Sequence, residues 1–221
     1  MSLRLPWSSR FDASIRRDPR RHRVPGIPVV LDGEAVEPAA VLELQDRPLH
    51  TVLDPAALAG ESLRVFTGID RARAYALDLA SADEAVQSEG PPRPPGSPIR
   101  GGSGCRVAGG GTNPLPADAG VVEFYEHIDL GGCGWRVPDS QTGVADLTKV
   151  VACGFLWWGW KSADQRISSL DVTTSYSSIT LQVTPFPEDG TLWVPHRARV
   201  NSLVDYGWND RARYWFRWCF A

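Results

Sequence analysis

The chain has 221 residues with 23 basic and 26 acidic side chains, a net charge of −3, and 43% of its residues are hydrophobic. That length allows one or two domains with a real core. No run approaches the roughly 20 apolar residues of a membrane span, so no membrane partner is expected. With 21 Gly and 18 Pro, the composition favours turns, strands and a linker over a helical bundle.

Residues 1–23 carry seven Arg against Asp12 and Asp18, a local charge of +5. This basic arm suits an acidic partner, such as a protein surface within a large assembly. Trp7 and Phe11 are not regularly interleaved with the arginines, so nucleic acid is not the favoured partner. The N-terminus lacks the apolar run of a signal peptide, which sets the expectation of a cytoplasmic protein or one assembled in a particle. Cys105, Cys133, Cys153 and Cys219 show no zinc-type spacing, and in such a chain thiols are expected over disulfides.

Residues 24–87 read as a small α/β module. Ile27–Leu31, Leu49–Leu53 and Leu63–Thr67 are strand candidates, with turn signals at Asp32-Gly33 and Asp54-Pro55. From Asp70 the pattern becomes Ala-rich, and Ala72, Tyr75, Ala76 and Leu79 form one helical stripe, which reads as a packing face. Residues 88–118 are Pro- and Gly-rich and read as a linker. Gly109-Gly110-Gly111-Thr112 lacks the Lys-Ser/Thr ending and the following helix of a phosphate loop.

Residues 119–221 alternate as strands do, at 121–127, 167–173 and 179–184, and hold eight of the nine Trp. Many short strands with regular turns predict a sandwich. No Gly-x-Ser-x-Gly or HExxH is present. His22, His50, His127 and His196 are scattered, and Glu123 and Glu126 fall on opposite faces of one strand. No catalytic residue is assigned and the chain is read as non-enzymatic.

Phe124-Tyr125-Glu126-His127-Ile128-Asp129-Leu130-Gly131-Gly132 resembles the opening of a βγ-crystallin Greek key, an aromatic pair and Glu followed by a Gly after a folded hairpin. Gly131 and Gly132 supply the positive φ that such a hairpin needs, and Tyr125 is placed to close over it. Asp164-Gln165-Arg166-Ile167-Ser168-Ser169 is similar to the family's second signature, [N/D]-[N/D]-x-x-[S/T]-S, and Asn209-Asp210-Arg211-Ala212-Arg213-Tyr214 repeats it 45 residues later. In the second key Gly190 matches Gly132, with Val183 where an aromatic belongs. The first key is longer, which fits an inserted aromatic loop around Gly154–Gly159. The resemblance, to the microbial members of the superfamily, implies a mainly β protein with a C-terminal double Greek-key sandwich. Trp135, Trp160 and Trp208 are expected to be buried. Some bacterial proteins ending in such domains carry a front module similar to Leu49, His50, Asp54, Phe66 and Thr67.

The resemblance also implies calcium, held by ligands that two loops exchange. One site takes the carbonyl of Arg166, the hydroxyl of Ser168 and the carboxylate of Asp210, with Asp164, Ser169 and Asn209 as supporting loop residues. The other would need the carbonyl of Arg211, a hydroxyl at Arg213 and an acidic or Asn group at Gln165, and is read as lost. One carboxylate among neutral oxygens predicts a dissociation constant on the order of 10⁻⁵–10⁻³ M. Two other functions share the composition: an assembly component whose arm and linker hold partners, and a killer-toxin-like or protease-inhibitor protein of the same fold. The latter are typically secreted and disulfide-bonded, which the missing signal opposes.

Overall fold

The computed structural model describes residues 21–88, 104–106, 112–114, 122–137, 145–149, 151–155, 159–172 and 177–219. Most of the basic arm (residues 1–20) and much of the Pro/Gly stretch lie outside the described residues, as do the side chains of Trp135 and Trp160.

The chain opens with a hairpin, β1 (Val29–Leu31) and β2 (Glu34–Val36), turned at Asp32-Gly33 with φ of 50° and 99°. A 3₁₀ segment, Pro38–Leu44, leads to β3 (His50–Val52). Asp54-Pro55 is not a simple turn. Asp54 caps a one-turn helix α1 (Pro55–Leu58), its Oδ1 accepting from the Ala57 N–H at 2.8 Å. The same carboxylate accepts from the Tyr75 hydroxyl at 2.6 Å and lies 3.4 Å from Arg64 Nε. β4 (Leu63–Phe66) then runs antiparallel to β3 and parallel to β1, and α2 (Ile69–Ser88) follows. The expected stripe is the packed face of α2: Ala72 and Ala76 are buried, with Tyr75 and Leu79 against them and Val52, Phe66 and Trp193 beneath. Asp32 anchors the start of the helix, accepting from the Thr67 hydroxyl at 2.6 Å and pairing with Arg71 at 3.0 Å. The front-module residues seen in the sequence thus work as packing and capping groups.

Within the Pro/Gly stretch, β5 (Gly104–Arg106) and β6 (Thr112–Pro114) pair antiparallel, so that stretch is not purely linker. The C-terminal strands are β7 (Val122–Tyr125), β8 (Gly134–Val137), β9 (Ala145–Asp146), β10 (Val151–Phe155), β11 (Gly159–Ser162), β12 (Ser169–Val172), β13 (Ser177–Gln182), β14 (Thr191–Val194), β15 (Arg199–Val200) and β16 (Tyr214–Cys219). One sheet has the order β15-β12-β7-β8, and the other contains β14-β13-β16-β9. In each, the first, second and fourth strands of one key take the third strand of the other. The exchange makes this part a double Greek-key sandwich, as expected. The antiparallel β10–β11 hairpin is the insertion in the first key. Phe124, Leu170, Leu181, Trp208 and Trp215 are fully buried between the sheets.

The second sheet does not end at β14. β3 pairs with β14 in parallel, His50 opposite Thr191 and Val52 opposite Trp193, so eight strands run β2-β1-β4-β3-β14-β13-β16-β9. The sheet and one buried cluster, from Val29 and Leu63 to Leu192 and Trp215, both cross the division expected between residues 87 and 119. Buried polar pairs span it too: Trp208 Nε1–H donates to Thr51 Oγ1 at 3.1 Å, and His50 Nδ1 lies 3.1 Å from Thr191 Oγ1. Burial holds the His50 ring neutral, its pKa below the usual histidine value. Thr51→Val strands the buried Trp208 N–H, so urea unfolding followed by tryptophan fluorescence should show one cooperative transition weakened by about 1–3 kcal/mol.

Candidate metal centre

The loops 164–169 and 209–214 face one another across a pseudo-two-fold axis, and their backbones are cross-bonded in matching pairs. Gln165 N–H donates to Ala212 O at 2.9 Å, and Asp210 N–H donates to Ile167 O at 3.1 Å. Ser168 N–H reaches Tyr125 O at the end of β7, and Arg213 N–H reaches Gln182 O at the end of β13, each at 2.9 Å. The second residue of each loop is left-handed, Gln165 at φ 53° and Asp210 at φ 55°. Asp tolerates that conformation well; Gln at the matching position adopts it under the constraint of the cross-bonds.

The side chains break the symmetry. Ser168 Oγ and Asp210 Oδ1 lie 3.4 Å apart, and Asn209 Nδ2 sits 2.6 Å from Asp210 Oδ2. At the mirror position Arg213 Nε lies 3.2 Å from Asp164 Oδ1, whose side chain is only 2% exposed, and Gln165 Nε2 lies 3.4 Å from Asp164 Oδ2. The Arg213 guanidinium therefore occupies the place opposite the Ser168 hydroxyl. Ser169 is not at the centre: its hydroxyl donates to His127 O and accepts from Leu130 N–H, stapling the folded hairpin to β12. The Arg166 side chain turns away to Glu126 Oε1 at 3.1 Å. Among the described residues no backbone N–H donates to the Arg166 carbonyl.

This donor set is compatible with calcium. A hydroxyl 3.4 Å from a carboxylate oxygen is beyond a good O–H···O bond, about 2.5–3.0 Å. It matches the edge between two ligands set at right angles on spokes of about 2.4 Å, within the calcium range. Asn209 Oδ1 is buried without a hydrogen-bond partner among the described residues, a further oxygen in the same loop. No cluster of three or more His, Cys, Asp or Glu suited to a metal occurs among the described residues.

The hairpin differs in detail from expectation. Gly132 has φ 76° and Gly131 does not share it; Asp129 and Leu130, both at 56°, supply the other left-handed residues. His127 closes over Gly132, where a Cβ would meet its ring at 2.6 Å, while Tyr125 lies over Gly134. In the second key Gly190, φ 123°, has Val183 beside it. Glu123 accepts from the Tyr125 hydroxyl, so it and Glu126 have separate partners. His196 lies apart from the loops, lining an apolar cavity of about 360 Å³ between α1, α2 and the end of β14, with Leu58, Leu79 and Trp193. Cys133 is disulfide-bonded, contrary to the expectation of thiols.

No family model matches the chain, and no curated protein matches it. Among solved structures, a chain described under "Evolution of the eye lens beta-gamma-crystallin domain fold" is similar, at 20% identity and a TM-score of 0.35. The match covers 50% of this chain and 96% of that one.

Replacing Arg213 with Ala leaves the buried Asp164 carboxylate without this cation. Chemical denaturation should show a loss of about 1–3 kcal/mol, whereas Arg166→Ala, at a half-exposed pair with Glu126, should cost under about 1 kcal/mol.

Proposed function

We propose that this chain is a non-enzymatic binding module of βγ-crystallin type that takes one calcium ion between its two signature loops. The observation that carries the reading is the contrast between the mirror positions. Ser168 Oγ and Asp210 Oδ1 stand at the spacing of adjacent ligands, while the equivalent residues are Arg213 and Gln165, and Arg213 pairs with the neighbouring Asp164. The Arg166 carbonyl completes the first set, and Asn209 supports it. A calcium ion there supplies a cross-link between the two Greek keys. Its stabilisation grows as RT ln(1 + [Ca]/Kd), so a weak site still acts at millimolar calcium.

Titration calorimetry and thermal melts, with calcium and with chelator, test this. One calcium per chain is expected, with a dissociation constant of about 10⁻⁵–10⁻³ M. Asp210→Ala removes the one carboxylate and most of the Coulomb attraction, and binding should be lost. Gln165→Ala should leave it unchanged. Two calcium ions in the wild type, undiminished binding in Asp210→Ala, or no binding at all would each overturn the assignment.

A second reading is favoured by one observation, the disulfide at Cys133. Such bonds persist in oxidising compartments, which suits the secreted toxin-like or inhibitor branch of the same fold. Alkylation and intact mass of the protein purified without reductant decide it: a reduced Cys133 removes this support.

A further inference from the structure

Residues 21–26 cross the junction between the front module and the second signature loop, and they are held at both sides. On the front-module side, His22 N–H donates to Gln45 Oε1 at 2.9 Å, Gln45 Nε2 lies 3.3 Å from His22 O, and His22 Nε2 lies 2.7 Å from the Arg47 carbonyl. On the loop side, His22 Nδ1 lies 3.4 Å from Arg211 Nη2, and Gly26 N–H donates to Asp205 O at 2.8 Å. The strap presses so closely on the loop that a Cβ on Gly207, φ 70°, would meet Arg23 O at 2.7 Å. His22 is 8% exposed and Arg211 5%. The Arg211 guanidinium lies over the Trp208 ring, 4.6 Å from its centroid, and reaches Gly207 O.

The two partners dictate the state of the ring. A carbonyl only accepts, so Nε2 must carry its hydrogen; a guanidinium only donates, so Nδ1 must present its lone pair. Both contacts exist together in one form, the neutral Nε2–H tautomer. A second proton on Nδ1 would face a buried cation. Arg23 and Tyr206 line the same small pocket as His22 and Arg211, while Arg47 and Asp205 meet the strap through their carbonyls. The Tyr206 hydroxyl is directed to Ala57 O, and Asp205 receives Gly26 through its carbonyl.

We propose that His22 is an acid-operated latch: its neutral ring ties residues 21–26 to the loop 203–211, and gaining a second proton releases that strap. Burial first, and then the Arg211 charge, hold the ring's pKa below the ordinary 6.5, against the Arg47 and Leu44 carbonyls, which raise it. A freed His22 therefore binds protons more readily than a latched one. The latch is fully present above pH 6.5 and is lost as pH falls from there through the latched value.

Global stability does not isolate this device, because the buried neutral His50 weakens the fold over the same range. The test is therefore local, on the full chain in calcium-free buffer from pH 7.5 to 5. NMR follows the His22 ring and the exchange of the Gly26 amide, corrected for its intrinsic rate. The Gly26 protection factor should fall about tenfold per pH unit below 6.5 until the latched ring itself titrates. In His22→Gln, which keeps a side-chain amide to reach the Arg47 carbonyl, Gly26 protection should not vary with pH. A His22 ring titrating at or above 6.5 would overturn the proposal, as would Gly26 protection in the wild type that does not follow the ring. The same pH-dependent loss in His22→Gln would also overturn it. Should His22→Gln open the strap at every pH, coincident wild-type transitions of ring and amide support the latch and separated ones refute it.

Discussion

The parallel pairing of β3 with β14 is the constraint on which the remaining architecture depends. Three residues of each strand are in register, and they carry the front module onto the sandwich. Alternation along β3 then serves two cores at once. Thr51 points towards Trp208 and the interior between the sheets, and Val52 points towards α2 and Trp193. The short β1, β2 and β4 gain a core that they could not build alone, and a twenty-residue helix gains a surface to cover. The strap at residues 21–26 and the Tyr206–Ala57 bond then fasten the same two parts from the loop side.

The two loops show a fold tolerating unequal electrostatics within equal backbones. The cross-bonds between residues 165 and 212 and between 210 and 167 are nearly the same length, so the frame is set by main chain. What differs is the fifth residue of each loop. The hydroxyl of Ser168 stands beside the Asp210 carboxylate, whereas the guanidinium at Arg213 supplies Asp164 with a cation from the chain itself. One position is thus closed by an ion pair between the loops, and the other sets a hydroxyl beside a carboxylate.

Much of this was legible in the residues. Alternation marked β7, β12 and β13 within a residue or two, because every second residue, Val122 and Phe124, Leu170 and Val172, Ile179 and Leu181, is apolar and joins one continuous core. The Ala72, Tyr75, Ala76 and Leu79 stripe marked α2 for the same reason. The paired loops gave the exchange of Ser168 towards Asp210, since that pattern is local in each loop. The β3–β14 pairing was hidden, because a parallel contact between residues 141 apart leaves no signature in either strand. The roles of His22 and Thr51 were missed likewise, as each is decided by a partner far along the chain. The hairpin glycines were half legible. Gly132 takes the strained conformation, yet Asp129 and Leu130 share it because Ser169 and the turn's own hydrogen bonds hold them there.

The order of the eight strands has a consequence for self-association. Were the second sheet to stop at β14, its outermost strand would be Thr-Leu-Trp-Val, whose free N–H and C=O groups would invite another copy to add on. With the front module in place, β14 is interior and all four residues are buried. The outermost strands become β2, which is three residues long with exposed Glu34 and Ala35, and the two-residue β9. Short, partly charged borders of this kind are poor templates for sheet extension, so the front module also guards the sandwich against aggregation.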